Sequence, residues 1–221
     1  MLNILFPRLC CGCDSILSMA EDLVCVVCRH EIPLNRIHSH STESLKKKFY
    51  GRVPLENATA LIQFQKGGLT QRLMHQMKYH GYKELSDFFG KWLGEELQSI
   101  PSYGDIQYVI PVPLHKQKLK KRGYNQVEGF GRTLAAYLNA SYRDDILIKD
   151  SKTASQVFKN RILRFDIEEV FRINNIEEIQ DSHVLLVDDI ITTGATLERC
   201  ATELLKAKNV KLSIATIALS A

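Results

Sequence analysis

From Ala58 onward the chain alternates short apolar runs with stretches whose apolar residues recur every three to four positions. ATALIQF, residues 58–64, reads as a strand. GLTQRLMHQMKYHGY, residues 68–82, sets Leu69, Leu73 and Met77 on one helical face and Arg72, His75 and Lys78 on another. SDFFGKWLGEELQS, residues 86–99, repeats that period through Phe89, Trp92, Leu93 and Leu97. IQYVIPVP, residues 106–113, is an apolar strand closed by two prolines. NQVEGFGRTLAAYLN, residues 125–139, predicts a helix with Asn125 as N-cap and Val127, Phe130, Leu134 and Leu138 facing inward. DILIK, EEVFRI and HVLLVD follow as short strands, then a helix from Thr196 to about Lys208 and a last strand, KLSIATIAL. Apolar strands separated by helices imply a mostly parallel sheet covered on both faces, a doubly wound α/β domain.

Length and composition fit that reading. A chain of 221 residues with 45% hydrophobic positions makes one ordinary domain with a small appendage, and 24% charged residues of both signs exclude wholesale disorder. The expected division is residues 1–48 for the appendage and linker and 49–221 for the α/β domain. No run approaches the roughly 18 apolar residues of a membrane helix, so membrane insertion is not expected. No charged stretch precedes an apolar run at the N-terminus, so the expectation is a cytoplasmic protein with reduced cysteines. A net charge of +4 is too small to indicate a nucleic-acid partner by itself.

The cysteines are concentrated at one end. Five of the six lie in CCGC (Cys10, Cys11, Cys13) and CVVC (Cys25, Cys28). Two C-x-x-C pairs in a reducing compartment point to a tetrahedral zinc–thiolate site, with Cys10, Cys13, Cys25 and Cys28 as ligands. Cys11 is a spare, or takes the place of Cys10 in a tighter pair; the alternative to zinc is a set of ordinary buried thiols. Four thiolates leave no position for water, so the metal's role is structural. Cys200, beside Ala201 and Leu204 on a helix, reads as a core residue. Residues 38–51, HSHSTESLKKKFYG, read as a polar linker in which Lys46, Lys47 and Lys48 are solvated.

The chemistry is carried by VLLVDDIITTGATLERC, residues 184–200. A buried strand ends in two aspartates, and five small residues open the next helix. In a doubly wound sheet, ligands sit at the carboxyl ends of the strands. The free N–H groups of a helix start attract anions, and small residues let a phosphate approach. Asp188 and Asp189 can accept hydrogen bonds from a vicinal diol or hold hydrated Mg²⁺. With Thr192, Thr193, Gly194, Ala195 and Thr196 as a phosphate cradle, the segment describes a site for a sugar 5-phosphate. Between Ile110 and Asn125 there are five basic residues (Lys116, Lys118, Lys120, Lys121, Arg122) and no acid, which suits a pyrophosphate; an exposed basic loop is the competing reading. Arg122, Asn125 and Gln126 are the expected contacts on that side. A second acid-free stretch, residues 61–83, interleaves Lys66, Arg72, Lys78 and Lys83 with Tyr79 and Tyr82, as nucleic-acid surfaces do; a solvated helix face competes with that reading.

VLLVDDIITTGATL resembles the signature of the type I phosphoribosyltransferase fold, which binds 5-phosphoribosyl 1-pyrophosphate (PRPP). The resemblance implies that Asp188 and Asp189 contact the ribose hydroxyls and that residues 192–196 wrap the 5-phosphate, with Mg²⁺ accompanying PRPP. VIPVPLHKQKLKKRGYNQ, residues 109–126, resembles the ComF family of competence proteins. The four-cysteine ribbon, MKYHGY near residue 80 and TASQ at Thr153 to Gln156 fit the same family. Two features depart from its pattern: Asp166 stands near an asparagine position in the stretch that keeps Arg161 and Arg164, and CCGC lacks the glycine that often follows a C-x-x-C pair. The resemblance implies a role with single-stranded DNA during natural transformation, in company with a DNA translocase or recombination mediator. The alternative is an active transferase that passes phosphoribose to a nitrogen acceptor. Against it, no amidotransferase domain and no base-specificity segment can be read near IATIALSA.

Overall fold

The computed structural model describes residues 7–35, 45–150 and 170–220. Thr153 to Gln156, Arg161, Arg164 and Asp166 lie outside the described residues. The elements run α1 (Val26–Glu31), β1 (Ala58–Phe64), α2 (Leu69–Tyr79), α3 (Glu84–Leu97), β2 (Tyr108–Pro111), α4 (Lys116–Arg122), α5 (Glu128–Tyr137), β3 (Ser141–Tyr142), β4 (Leu147–Asp150), β5 (Val170–Ile173), β6 (His183–Ile191), α6 (Ala195–Leu204) and β7 (Lys211–Ser220). Five strands form one sheet in the order β1-β7-β6-β2-β3, every neighbouring pair parallel. No helix of the described residues is long and apolar enough to cross a membrane.

Strand β6 shows why the sheet is buried on both sides. Val184 and Leu186 join one core with Phe49, Ile146, Phe171 and Leu197, while Leu185 and Val187 join the other with Leu73, Phe89, Phe130 and the cysteine ribbon. An apolar residue at every position is what a strand covered on both faces requires. Cys200 is fully buried in the first of these cores, as a plain core residue would be.

Several expectations change. DILIK and EEVFRI do not enter the main sheet; β4 and β5 pair with each other as a separate antiparallel ribbon, Leu147 opposite Ile173. The basic segment after β2, for which an exposed loop is the competing reading, is a helix, α4, ended by Gly123 in the left-handed conformation. Helix α5 begins later than the sequence implies, with Val127 at the N-cap position; Asn125 instead accepts the Val127 N–H at 3.3 Å and donates to the Val112 carbonyl at 3.2 Å. Residues 45–49, expected in an exposed linker, carry Leu45 at 1% and Phe49 at 0% exposure. The apolar pair at i and i+4 faces the core, while of the lysines between them Lys47 is exposed and Lys46 and Lys48 are half-buried.

The ribbon is also less separate than its length suggested. Cys10, Cys11, Cys25 and Cys28 share a core with Leu73, Phe89 and Leu93 of α2 and α3. The ribbon therefore buries its thiols against the larger domain, which a 30-residue segment alone could not do.

Candidate functional site

Connections out of the sheet diverge at its centre. β2 leads through α5 to β3 on one side, and β6 leads through α6 to β7 on the other. Ligands bind at such a switch point. β2 stays beside β6 only as far as Val112, whose N–H donates to the Val187 carbonyl at 2.9 Å. β6 does not end at Asp188; it continues to Ile191, held by β7 through Ile190 opposite Ala218 and Ile191 opposite Leu219. The two aspartates therefore line the edge that β2 has vacated.

They face different neighbours. Asp189 is buried; its Oδ2 lies 2.8 Å from Lys78 Nζ of α2 and accepts from Gln126 Nε2 at 2.9 Å. Gln126 in turn accepts from Arg122 at 2.6 Å, and the Arg122 guanidinium lies 5.1 Å from the centroid of the Tyr79 ring. Tyr124 donates to the Met77 carbonyl at 2.5 Å, fixing this segment to the end of α2. Asp188 accepts from the Asp189 N–H at 2.8 Å. Burial, and next the charge of Asp189, push its carboxyl well above the usual carboxylate range, with Lys78 and Lys149 of β4 pulling the other way. Like charges held this close in a desolvated place favour an incoming cation or a hydroxyl donor.

Beyond Ile191, Thr192 and Thr193 are exposed and Gly194 turns the chain at φ 81° into α6. Ala195 N–H reaches Thr193 Oγ1 at 3.4 Å, and Glu198 N–H caps back to the Gly194 carbonyl at 2.8 Å. A Cβ at Gly194 would stand 3.1 Å from two ring carbons of Phe49. Phe49 thus floors the turn, and Arg52 ties the same segment to the first turn of α6 through Glu198 Oε2 at 2.6 Å. The amide groups of a helix start, exposed threonine hydroxyls and a small-residue turn are the groups that can together cradle an anion.

Hydrogen bonds join Arg122, Gln126 and Asp189 among the ten expected residues, and Asp188, Asp189 and residues 192–196 follow one another from β6 into α6. Gln126 and Asn125 are committed to internal hydrogen bonds, and Arg122 carries the exposed side of the chain of contacts. Three contributors escaped the sequence reading: Lys78 as the partner of Asp189, Lys149 as a cation near Asp188, and Phe49 beneath Gly194. Each comes from a segment distant in sequence, so no local motif announces it.

The cysteine ribbon forms a second centre. The sulfurs of Cys10, Cys13, Cys25 and Cys28 all lie within 4.8 Å of one another, Cys13 and Cys25 at 3.7 Å. A tetrahedron with metal–sulfur bonds of about 2.3 Å has edges of about 3.8 Å, so the four fit a metal ion. Amide N–H groups of Gly12 and Cys25 point at Cys10 Sγ at 3.3 and 3.2 Å, and that of Cys28 at Cys25 Sγ at 3.4 Å, which spreads thiolate charge. Hydrogen bonds from Ser15 draw the Cys13 thiol down to about 6. Cys11 stands outside the cluster, buried, its thiol pushed up to about 11 by burial and by Cys10. Asp14 adopts φ 60° after the first pair, the conformation that a glycine there would supply, and an ion pair with Arg72 holds it.

A family model described as "Phosphoribosyl transferase domain" matches residues 128–221. The chain is 28% identical over 138 residues to "DNA utilization protein YhgH" of Escherichia coli O157:H7, covering 61% of this chain and 60% of that protein. It is 35% identical over 122 residues to "Competence protein ComFC" of Streptococcus pneumoniae, covering 55% and 50%. With "Competence protein ComFC" of Bacillus subtilis it shares 23% identity over 207 residues, covering 92% and 81%. The chain spans 60% of the length of the first of these relatives.

Proposed function

The chain belongs to the ComF family and carries its type I phosphoribosyltransferase fold, and on that premise we propose that it binds PRPP or a related phosphosugar and assists the handling of single-stranded DNA in natural transformation. The observation that carries the reading is the joint placement of Asp188, Asp189 and the Thr192–Thr196 turn beside the edge that β2 vacates. Asp188 and Asp189 accept the ribose hydroxyls, and the turn's amides and hydroxyls hold the 5-phosphate. Arg122 and Lys78 face the pyrophosphate side as cations already ordered by Gln126 and Asp189. Mg²⁺ enters as part of the substrate and is drawn to the crowded carboxylates. The four cysteines hold a structural zinc ion, which fixes the ribbon against α2 and α3.

The DNA side of the proposal draws support from α4. Lys118, Lys120 and Lys121 are exposed on it, and exposed Tyr79 and Tyr82 lie at and just beyond the end of α2, whose chain Tyr124 fastens to the same segment. Lys78 and Arg72 are engaged with Asp189 and Asp14, so they belong to the sites they brace rather than to a strand of DNA.

Calorimetry with PRPP and Mg²⁺ tests the central claim. Wild type should bind, and the double substitution Asp188→Lys, Asp189→Lys should abolish binding, since the diol acceptors and the cation's anchor both vanish. Unchanged affinity in that variant would overturn the assigned roles. The intact carboxylate pair keeps a transferase as the second reading, and pyrophosphate release in the presence of a nitrogen acceptor separates the two.

A further inference from the structure

Between the cysteine ribbon and α3 lies a hollow of about 660 Å³. Phe88 and Trp92 form its apolar wall, their rings edge to face at 5.8 Å. The Arg29 guanidinium lies 4.9 Å over Trp92 and 5.8 Å over Phe88, so the one cation α1 supplies is spent on holding the ribbon to this wall.

The rim is acidic: five carboxylates, Glu21, Asp22, Glu84, Asp87 and Glu95, against two cations, Arg29 and Lys91. Some of that charge is used internally. Glu21 accepts the Ser18 and Val26 N–H groups at 2.8 and 2.7 Å, and Asp22 lies 3.3 Å from Arg8. Glu84 and Asp87, both in the first turn of α3, have no ion pair among the described residues. The Asp87 carboxyl is raised by burial and then by the charge of Glu84, with Lys83 pulling the other way. Val26 lines the hollow at 69% exposure, and Val27, Met19 and Ile16 of the same ribbon are 65%, 94% and 70% exposed. Val26 thereby adds an open apolar contact beside the wall of Phe88 and Trp92.

We propose that this hollow docks a basic segment of a partner protein, a lysine- or arginine-rich stretch with an apolar anchor. The anchor packs on Phe88, Trp92 and Val26, and the cations pair with Glu84 and Asp87. The sign of the rim turns nucleic acid and acidic peptides away. The ribbon thereby serves as one wall of a protein-binding groove whose lining includes none of the residues assigned to the phosphosugar site.

A fluorescein-labelled peptide of about twelve residues, lysine and leucine alternating around a central phenylalanine, is the probe. Fluorescence anisotropy with the full chain should give a Kd of about 10 µM that weakens with salt. Glu84→Lys with Asp87→Lys should weaken binding at least tenfold, about 1.4 kcal/mol. The same variant should gain affinity for a mirror peptide with glutamate in place of lysine. Asp188→Lys with Asp189→Lys should leave the peptide affinity unchanged, which separates the hollow from the phosphosugar site. Trp92→Ala, checked for folding by its melting curve, should also weaken binding. Equal binding of the two peptides to wild type, or an affinity unmoved by Glu84→Lys with Asp87→Lys, overturns the proposal. So does a dimer in sedimentation that this double substitution dissociates, because a second copy would then be the occupant.

Discussion

Gly194 is the position where backbone, packing and ligand chemistry meet, and Gly194→Ala tests how they are coupled. At φ 81° an L side chain is strained, at a cost of roughly 1–2 kcal/mol. The added methyl would also stand 3.1 Å from Phe49 Cε1 and Cζ, and that ring is fully buried, so it cannot swing into solvent. A combined cost of about 2 kcal/mol lowers the melting temperature by about 4–8 °C for a chain of this size. If the turn relaxes instead, the cradle is lost, and PRPP affinity should fall by up to about 30-fold, the same energy expressed in binding. Gly67→Ala supplies the control: Gly67 has φ 75° but nothing within 4 Å of a Cβ, so it reports the backbone cost alone. Differential scanning calorimetry and PRPP titration on wild type and both variants give the comparison. Adding Phe49→Leu to Gly194→Ala should recover the contact part and leave the backbone part. A Gly194→Ala protein that melts with wild type and binds PRPP within about twofold would refute the reasoning.

Freshly prepared reduced protein should carry about one zinc ion per chain by elemental analysis, and Cys25→Ser should speed proteolysis within residues 7–35 while the α/β domain still melts cooperatively; protein with no zinc would rule the site out. For DNA, each phosphate contact contributes about −0.7 to the log–log salt slope on single strands, so Lys118→Ala, Lys120→Ala and Lys121→Ala together should flatten the slope by about 2 while PRPP binding persists. A single-strand titration across several salt concentrations measures this, and a slope unchanged by the triple substitution removes α4 from the contact surface.

Much of the fold was legible because its signals are local. β1, β2, β6 and β7 follow from continuous apolar runs, since the sheet is covered on both faces, and α2 and α3 from their apolar period, since each buries one face. DILIK and EEVFRI looked like further strands of that sheet for the same reason, yet pairing partner is not a local property. β4 and β5 pair with each other, and their apolar residues Leu147 and Phe171 join the core on one face of the sheet with Val184 and Leu186. The basic helix α4 was hidden by its own charge: Lys116–Arg122 offers one apolar residue, Leu119, itself 43% exposed, so no apolar stripe reveals the helix.

The site divides along the same line. Asp188, Asp189 and the turn after them stand out in the sequence because the proposed phosphate cradle calls for small residues in order, and the four cysteines, whose sulfurs the structure brings within 4.8 Å, because metal ligands recur at fixed spacing. What supports those groups was not. Phe49 sits in LKKKF, where three lysines give the look of a solvated linker, although Leu45 and Phe49 stand one helical turn apart and both are buried. Burying a phenylalanine contributes about 2–3 kcal/mol, which is comparable with the strain it would have to resist under Gly194. Around that buried pair Lys48 reaches the Ser220 carbonyl at 3.4 Å, and Arg52 both stacks over the Phe49 ring and pairs with Glu198. A motif therefore names the atoms that meet the ligand, while the stiffness of the motif is set by residues whose only signature is a pair of apolar positions four apart.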